Sequence, residues 1–117
     1  MSGKVSYLAG LSAEDQVARD YARSGHVILS RRWRGAGGEI DLVVERDGVV
    51  IFIEVKKSRD HARAAERLSQ RQLRRIFLSA EGYIGTLPDG ANTNARVDVA
   101  LLDAQGRICI LDNVMCA

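Results

Sequence analysis

Twenty residues limit what this chain can become more than any others: Gly38–Lys57, reading GEIDLVVERDGVVIFIEVKK. Two apolar runs, Glu39–Glu45 and Val49–Lys56, meet at Asp47-Gly48. An Asp-Gly pair between alternating hydrophobic residues is the strongest short-range signal for a hairpin with a two-residue type I′ turn. Such a turn sets Arg46 opposite Val49, Val44 opposite Ile51, Leu42 opposite Ile53 and Asp41 opposite Glu54. Successive side chains of a strand point to opposite faces. Asp41, Glu54 and Lys56 are therefore expected on one face, and Ile40, Leu42, Val44, Ile51, Ile53 and Val55 on the other. A three-residue loop with Gly48 in the left-handed conformation would instead put Asp41 opposite Ile53 and undo the match unless a bulge restored it.

Two carboxylates facing each other destabilise a ladder, and Asp is rare inside strands. A divalent cation between them removes the conflict. Mg²⁺ suits a site of one or two carboxylates, waters and a substrate phosphate. Lys56 would then supply a point charge for the phosphate or the attacking water. The competing reading is an exposed sheet face carrying an ordinary Glu–Lys pair.

The pattern D-(x)n-E-x-K across a hairpin resembles the signature of the PD-(D/E)xK nucleases, with their restriction-endonuclease-like fold. GEIDLVV followed by VIFIEVKKSR is closer still to the YraN-like family of small bacterial proteins, related to archaeal Holliday-junction resolvases. The resemblance runs from Glu14 to about Leu102. It implies that Asp41 and Glu54 hold Mg²⁺ or Mn²⁺, with the Val55 carbonyl as a further ligand. It also implies that Glu14 reaches the metal site and that Lys56 assists catalysis. DNA is the implied substrate, branched DNA and a homodimer being suggested by the resolvases.

At 117 residues the chain is expected to form a single domain over 1–117, with 1–11 a loose leader. Its 46% hydrophobic content and one proline exclude a disordered protein. The net charge of +2 says little about partners, but its distribution says more. Between Val55 and Ile76 every charged residue is Lys or Arg except Asp60 and Glu66. Two cysteines, Cys109 and Cys116, make neither a disulfide framework nor a zinc site. The start SYLAGLSA is too short and glycine-interrupted for a signal peptide, and no stretch reaches membrane-spanning length. A cytoplasmic protein with no membrane partner is the expectation.

Along the chain, Ser12 reads as the N-cap of a helix running to about Ser24 and stopping at Gly25. Ala13, Val17, Ala18, Tyr21 and Ala22 form its apolar face, and Glu14 borders the buried side. An acidic residue in a first turn also simply suits the helix dipole. A strand over His26–Arg34 carries Arg31, Arg32 and Arg34 around Trp33. These arginines can contact phosphates, while the indole either stacks on an unpaired base or covers the core edge. The histidines, His26 and His61, lack ligand company.

After Lys57 the period becomes helical, and one helix is expected from Asp60 to about Ala80. Arg59, Arg63, Arg67, Arg71 and Arg75 recur every fourth residue and would spiral around it, since four residues exceed a 3.6-residue turn. With Lys57 they make either a phosphate-binding surface or a solvated face. Members of the resembled family often carry Lys-Gln in this helix. Here Gln70-Arg71-Gln72-Leu73 leaves Gln72 as a group that would support the site from behind. Glu81–Thr93 reads as a loop, Ala95–Asp103 and Arg107–Val114 as strands. Asp98 either orients something near the site or faces solvent.

The expected architecture is α/β: a mixed five-stranded sheet flanked by helices, order αβββαββ, restriction-endonuclease-like. The expected activity is metal-dependent endonucleolytic hydrolysis of DNA. A nucleic-acid-binding module that has lost cleavage and a structural or partner-binding domain are the alternatives.

Overall fold

The computed structural model describes residues 11–116, so the leader expected over 1–11 lies, except for Leu11, outside the described residues. Helix α1 (Ala13–Arg23) leads into strands β1 (Val27–Gly35), β2 (Gly38–Arg46) and β3 (Val49–Lys57). Two helices follow, α2 (His61–Glu66) and α3 (Gln70–Ile84), then a 3-10 turn at Gly90–Asn92, β4 (Asn94–Leu102) and β5 (Ile108–Leu111). The strands form one mixed sheet in chain order, antiparallel except for the parallel β3–β4 step. That step needs a crossover, and α2 and α3 provide it. The α/β class and the mixed five-stranded sheet are as expected. Among the described residues no helix is long and apolar enough to cross a membrane.

The hairpin register follows the two-residue turn. Asp47 and Gly48 both have positive φ, 50° and 79°, as a type I′ turn requires. Arg46 pairs with Val49, Val44 with Ile51 and Leu42 with Ile53. Helices cover both faces of the sheet, so β2 and β3 are apolar on both sides. Val17, Ala18 and Tyr21 of α1 pack on Leu42, Val44, Ile51, Ile53, Ala100 and Leu102. On the opposite face, Leu73, Ile76 and Ala80 of α3 pack on Ile40, Val43, Val50, Phe52 and Val97. Ala64 of α2 covers Val99 and Leu101 beside them.

Ile40 departs from the expected face, because it joins Val43 beneath α3 rather than Leu42 and Val44 beneath α1. The alternation breaks at Asp41. The β2–β3 pairing stops at Leu42–Ile53, and β1 pairs on either side of Arg32 but not at it. Arg32 has φ +51°, a left-handed conformation that a regular strand does not accommodate.

The single helix expected from Asp60 to Ala80 is two helices. Asp60 caps α2 by accepting the Arg63 N–H at 2.8 Å, and Ser69 caps α3 by accepting the Gln72 N–H at 3.0 Å. The five arginines therefore do not share one spiral. Helix α3 also runs past Ala80 to Ile84, through Gly82, because Tyr83 packs edge-on against Trp33 and Phe52 at 5.2 and 5.5 Å between ring centres. Packing outweighs the glycine penalty there. Trp33 thus covers the core edge. The last strand is shorter than expected, ending at Leu111, and the chain turns back so that the Val114 N–H reaches the Val97 carbonyl at 2.8 Å.

The β1–β2 turn is clamped onto α3. The buried Ser79 hydroxyl accepts the Gly37 N–H at 3.0 Å and donates to the Gly38 carbonyl at 2.8 Å. A Cβ on Gly37 would overlap the Arg75 carbonyl, whereas one on Gly82 would only touch Trp33 at 3.6 Å. Gly37→Ala should therefore destabilise by about 1–3 kcal/mol. Gly82→Ala should stabilise by about 0.5–1 kcal/mol, the helix-interior difference between the two residues. Urea unfolding of both variants checks this, and equal effects would show that the turn does not bear on the helix.

Candidate metal-binding and catalytic site

The site forms where β2 and β3 stop pairing. Beyond Leu42–Ile53 the Val55 N–H is taken by a side chain, Asp41 Oδ2, at 2.7 Å. This bond aims the Asp41 carboxylate at β3. Glu54, one residue before Val55, is buried, with 6% of its surface exposed. Its Oε1 receives Lys56 Nζ at 3.4 Å and the Gln72 amide at 3.2 Å. Glu54 and Lys56 are two apart on β3 and so share a face, while Gln72 belongs to the first turn of α3. The break before α3 makes that last contact available: a helix starting at Gln70 presents its first turn to the sheet.

Electrostatically this is an uncomfortable place. The two acids are close enough to act directly on one another. Burial, and then the neighbouring Asp41 charge, push Glu54 from the ordinary 4.5 to about 7, with Lys56 pulling the other way. Asp41 is raised as well, by burial and also by the charge of Glu14, against the Val55 N–H that favours its ionised form. A divalent cation suits this donor set: hard carboxylate oxygens, held together and short of positive charge. Asp41 and Glu54 are the side chains that could hold one. Among the described residues, however, no group of three or more His, Cys, Asp or Glu residues is gathered to hold a metal ion. Glu14 stands in the first turn of α1, and its Oε2 is occupied by Arg32 Nε at 2.9 Å.

The basic residues divide into two groups. Arg31 pairs with Asp15 at 2.7 Å, Arg34 with Glu39 at 3.5 Å and Arg63 with Asp60 at 3.1 Å. Arg67 donates to the Lys57 carbonyl at 2.8 Å, holding the end of β3. Lys57, Arg59, Arg71, Arg74 and Arg75 are exposed, and among the described residues none of them is in an ion pair. Arg74, which lies off the every-fourth-residue pattern, thus joins Arg71 and Arg75 as an exposed cation on α3.

Asp98 neither orients the site nor faces solvent. It is fully buried and accepts from the Tyr21 hydroxyl at 2.8 Å, Arg96 Nε at 3.0 Å and the Asn113 N–H at 2.9 Å. An Asp inside an apolar strand with an Arg two residues before it, on the same face, was the available signal. The helix break had a signal too: Ser69-Gln70-Arg71-Gln72 has the form of a capping box. The histidines serve the frame, His26 Nδ1 lying 3.1 Å from the Tyr21 carbonyl and His61 Nε2 2.9 Å from that of Arg107.

The acid pair should be visible in the stability of the metal-free protein. The folded value of Glu54 lies above its unfolded one, so its contribution is full below pH 4.5 and lost as the pH rises to about 7. Wild type should therefore lose stability relative to Glu54→Gln across that window, on the order of 1–3 kcal/mol. Urea unfolding in chelator at pH 4.5 and 7.5 measures the difference, and parallel curves would show that the pair carries no strain.

Comparison with known proteins places these residues in a family. The profile described as "Uncharacterised protein family UPF0102" matches residues 13–102, which include Glu14, the whole hairpin and both crossover helices. A UPF0102 protein of Cereibacter sphaeroides is 54% identical over 117 residues, all of both chains. Relatives of the same description from Roseobacter denitrificans and Ruegeria pomeroyi are each 49% identical. Those matches cover 97% and 95% of this chain, and 88% and 90% of theirs.

Proposed function

The chain belongs to the UPF0102, or YraN-like, family, and we propose that it is a divalent-metal-dependent endonuclease hydrolysing phosphodiester bonds of DNA. The observation that carries this reading is the pair of a half-buried Asp41 and a buried Glu54, with Lys56 on Glu54. A Mg²⁺ or Mn²⁺ held by Asp41, Glu54 and the Val55 carbonyl would supply Lewis-acid polarisation of the phosphate and a bound water of lowered pKa. Lys56, poorly exposed and close to Glu54, brings a positive charge to the scissile phosphate or to the water that attacks it. Gln72 fixes Glu54 Oε1 and so the direction of the carboxylate. Arg71, Arg74 and Arg75, with Lys57 and Arg59, supply the exposed charge that neutralises the DNA backbone. The likeness to junction resolvases extends the proposal to branched DNA and a homodimeric enzyme.

A second reading has one observation in its favour: Glu14 is engaged by Arg32 rather than gathered with the acid pair. On that reading the protein binds nucleic acid without cutting it. Incubating linear, flapped and four-way DNAs with the protein and Mg²⁺ or Mn²⁺ separates the two. Cleavage by wild type and none by Asp41→Asn supports the nuclease. Binding with no cleavage of any substrate supports the module.

Asp41→Asn should also invert in stability with metal. Carboxylates about 5 Å apart repel by roughly 3 kcal/mol at an effective dielectric of about 20. Lys56 and solvent reduce this to on the order of 0.5–1 kcal/mol, the scale of a cross-strand charge pair. Asn retains an oxygen for the Val55 N–H, so in chelator the variant should melt slightly above wild type. With saturating Mg²⁺ wild type should melt higher, since only it gains binding energy. Destabilisation by the same amount in both conditions would make Asp41 a purely structural residue.

The exposed arginines have their own readout. Replacing Arg71, Arg74 and Arg75 together should weaken DNA binding regardless of sequence. The slope of log K against log salt should fall by up to about 2.7, roughly 0.9 for each lost phosphate contact. An unchanged slope would leave them as solvated surface.

A further inference from the structure

Arg31 and Arg32 are consecutive residues of a strand, and a regular pleat would send their side chains to opposite faces. Both instead reach the first turn of α1, Arg31 onto Asp15 at 2.7 Å and Arg32 onto Glu14 at 2.9 Å. The left-handed backbone at Arg32, φ +51°, accounts for this. The conformation is one that residues other than Gly, Asn and Asp rarely adopt, and it persists only where the surroundings hold it. The Arg31–Asp15 pair already ties β1 to α1. The second pair does something different, because Glu14 is the more buried acid, with 23% of its side chain exposed, and its charge reaches Asp41.

We propose that Arg32 is a latch on Glu14. While paired it withholds a third carboxylate from the Asp41–Glu54 pair, and a divalent cation at that pair must compete with it for Glu14. The inference rests on the metal reading above. Arg32 suits the task because its side chain is 65% exposed and free to swing outward. A guanidinium released beside the site also has a partner waiting, since it matches a phosphate in shape and charge. Glu14 becomes the group whose position reports whether the site is loaded. A binding-competent arrangement that is only partly populated lowers apparent affinity by that fraction, so the latch weakens cation binding until it opens.

The test is Mn²⁺ binding, followed by electron paramagnetic resonance of the free ion. Arg32→Gly is the variant of choice, because glycine accepts the positive φ and keeps the strand. It should bind Mn²⁺ about threefold more tightly than wild type, or better. Removing any nearby positive charge could raise cation affinity, so two comparisons isolate the latch. Arg31→Ala removes the same charge one residue away and should change affinity little. In a Glu14→Gln background, Arg32→Gly should confer no gain. Equal gains from Arg31→Ala and Arg32→Gly, or a gain that survives Glu14→Gln, would overturn the latch while leaving the metal site standing. Wild type that binds no Mn²⁺ would overturn the metal reading and the latch together.

Discussion

A two-residue turn sets the register on which both the core and the site depend. With Asp47 and Gly48 alone at the corner, Leu42 must meet Ile53 and Val44 must meet Ile51. A slip of one residue would exchange every side chain between the faces. Here both faces are buried under helices of different shape, so the slip would push Phe52 and Val43 toward α1 and Leu42 and Ile53 toward α3. Neither layer could be packed, and the register is correspondingly strict. The pairing ends at Leu42–Ile53, and past it the Asp41 side chain turns onto the Val55 N–H, beside Glu54. Two acids are held together by packing elsewhere, not by any attraction of their own.

Two of the buried acids, Asp98 and Glu54, differ in how their charge is met. Asp98 is wholly enclosed and fully provided for: a guanidinium, a phenol and a backbone N–H satisfy its oxygens. Burial and the Asp98 charge in turn keep the Tyr21 hydroxyl firmly protonated. Glu54 is nearly as buried, yet it faces another carboxylate and has one ammonium and one amide for company. The first is a structural acid in a completed network. The second lies beside a like charge that Lys56 and Gln72 offset only in part.

How far this could be read from the chain itself depended on whether the determinants were local. The Asp-Gly turn, the Ser12 cap and the stop at Gly25 are decided within a few residues, and the structure has all three. The helix break at Ser69 was equally local, but the regular recurrence of arginine concealed it. The face of Ile40 departs from simple alternation beside Arg32 on the neighbouring strand, whose left-handed backbone no pattern of hydrophobicity announces. Asp98 and the extension of α3 through Gly82 depend on contacts distant in sequence. Tyr21 lies 77 residues from Asp98, and Tyr83 packs between Phe52 and Trp33. Parity holds for Glu54 and Lys56 on β3, whereas Asp41 lies past the break in alternation and is aimed at them by the Val55 N–H. The engagement of Glu14 and most of the β1 arginines in pairs required knowing where α1 lies against β1.

The distance between Tyr21 and Asp98 also orders events in time. The hairpin closes a short loop and can form early, bringing Asp41 to Glu54 with little chain entropy to overcome. Helix α1 leaves the ribosome before any of the described strands, but its anchor on β4 comes 77 residues later. Until β4 has joined β3, Val17, Ala18 and Tyr21 have only part of their resting surface. The hairpin strands already offer α1 a surface, so Glu14 can arrive before β4, but Tyr21 gains its buried partner only when β4 is in place. A chain whose C-terminal strands were not yet in place would carry the paired acids beneath a helix that lacks its buried anchor.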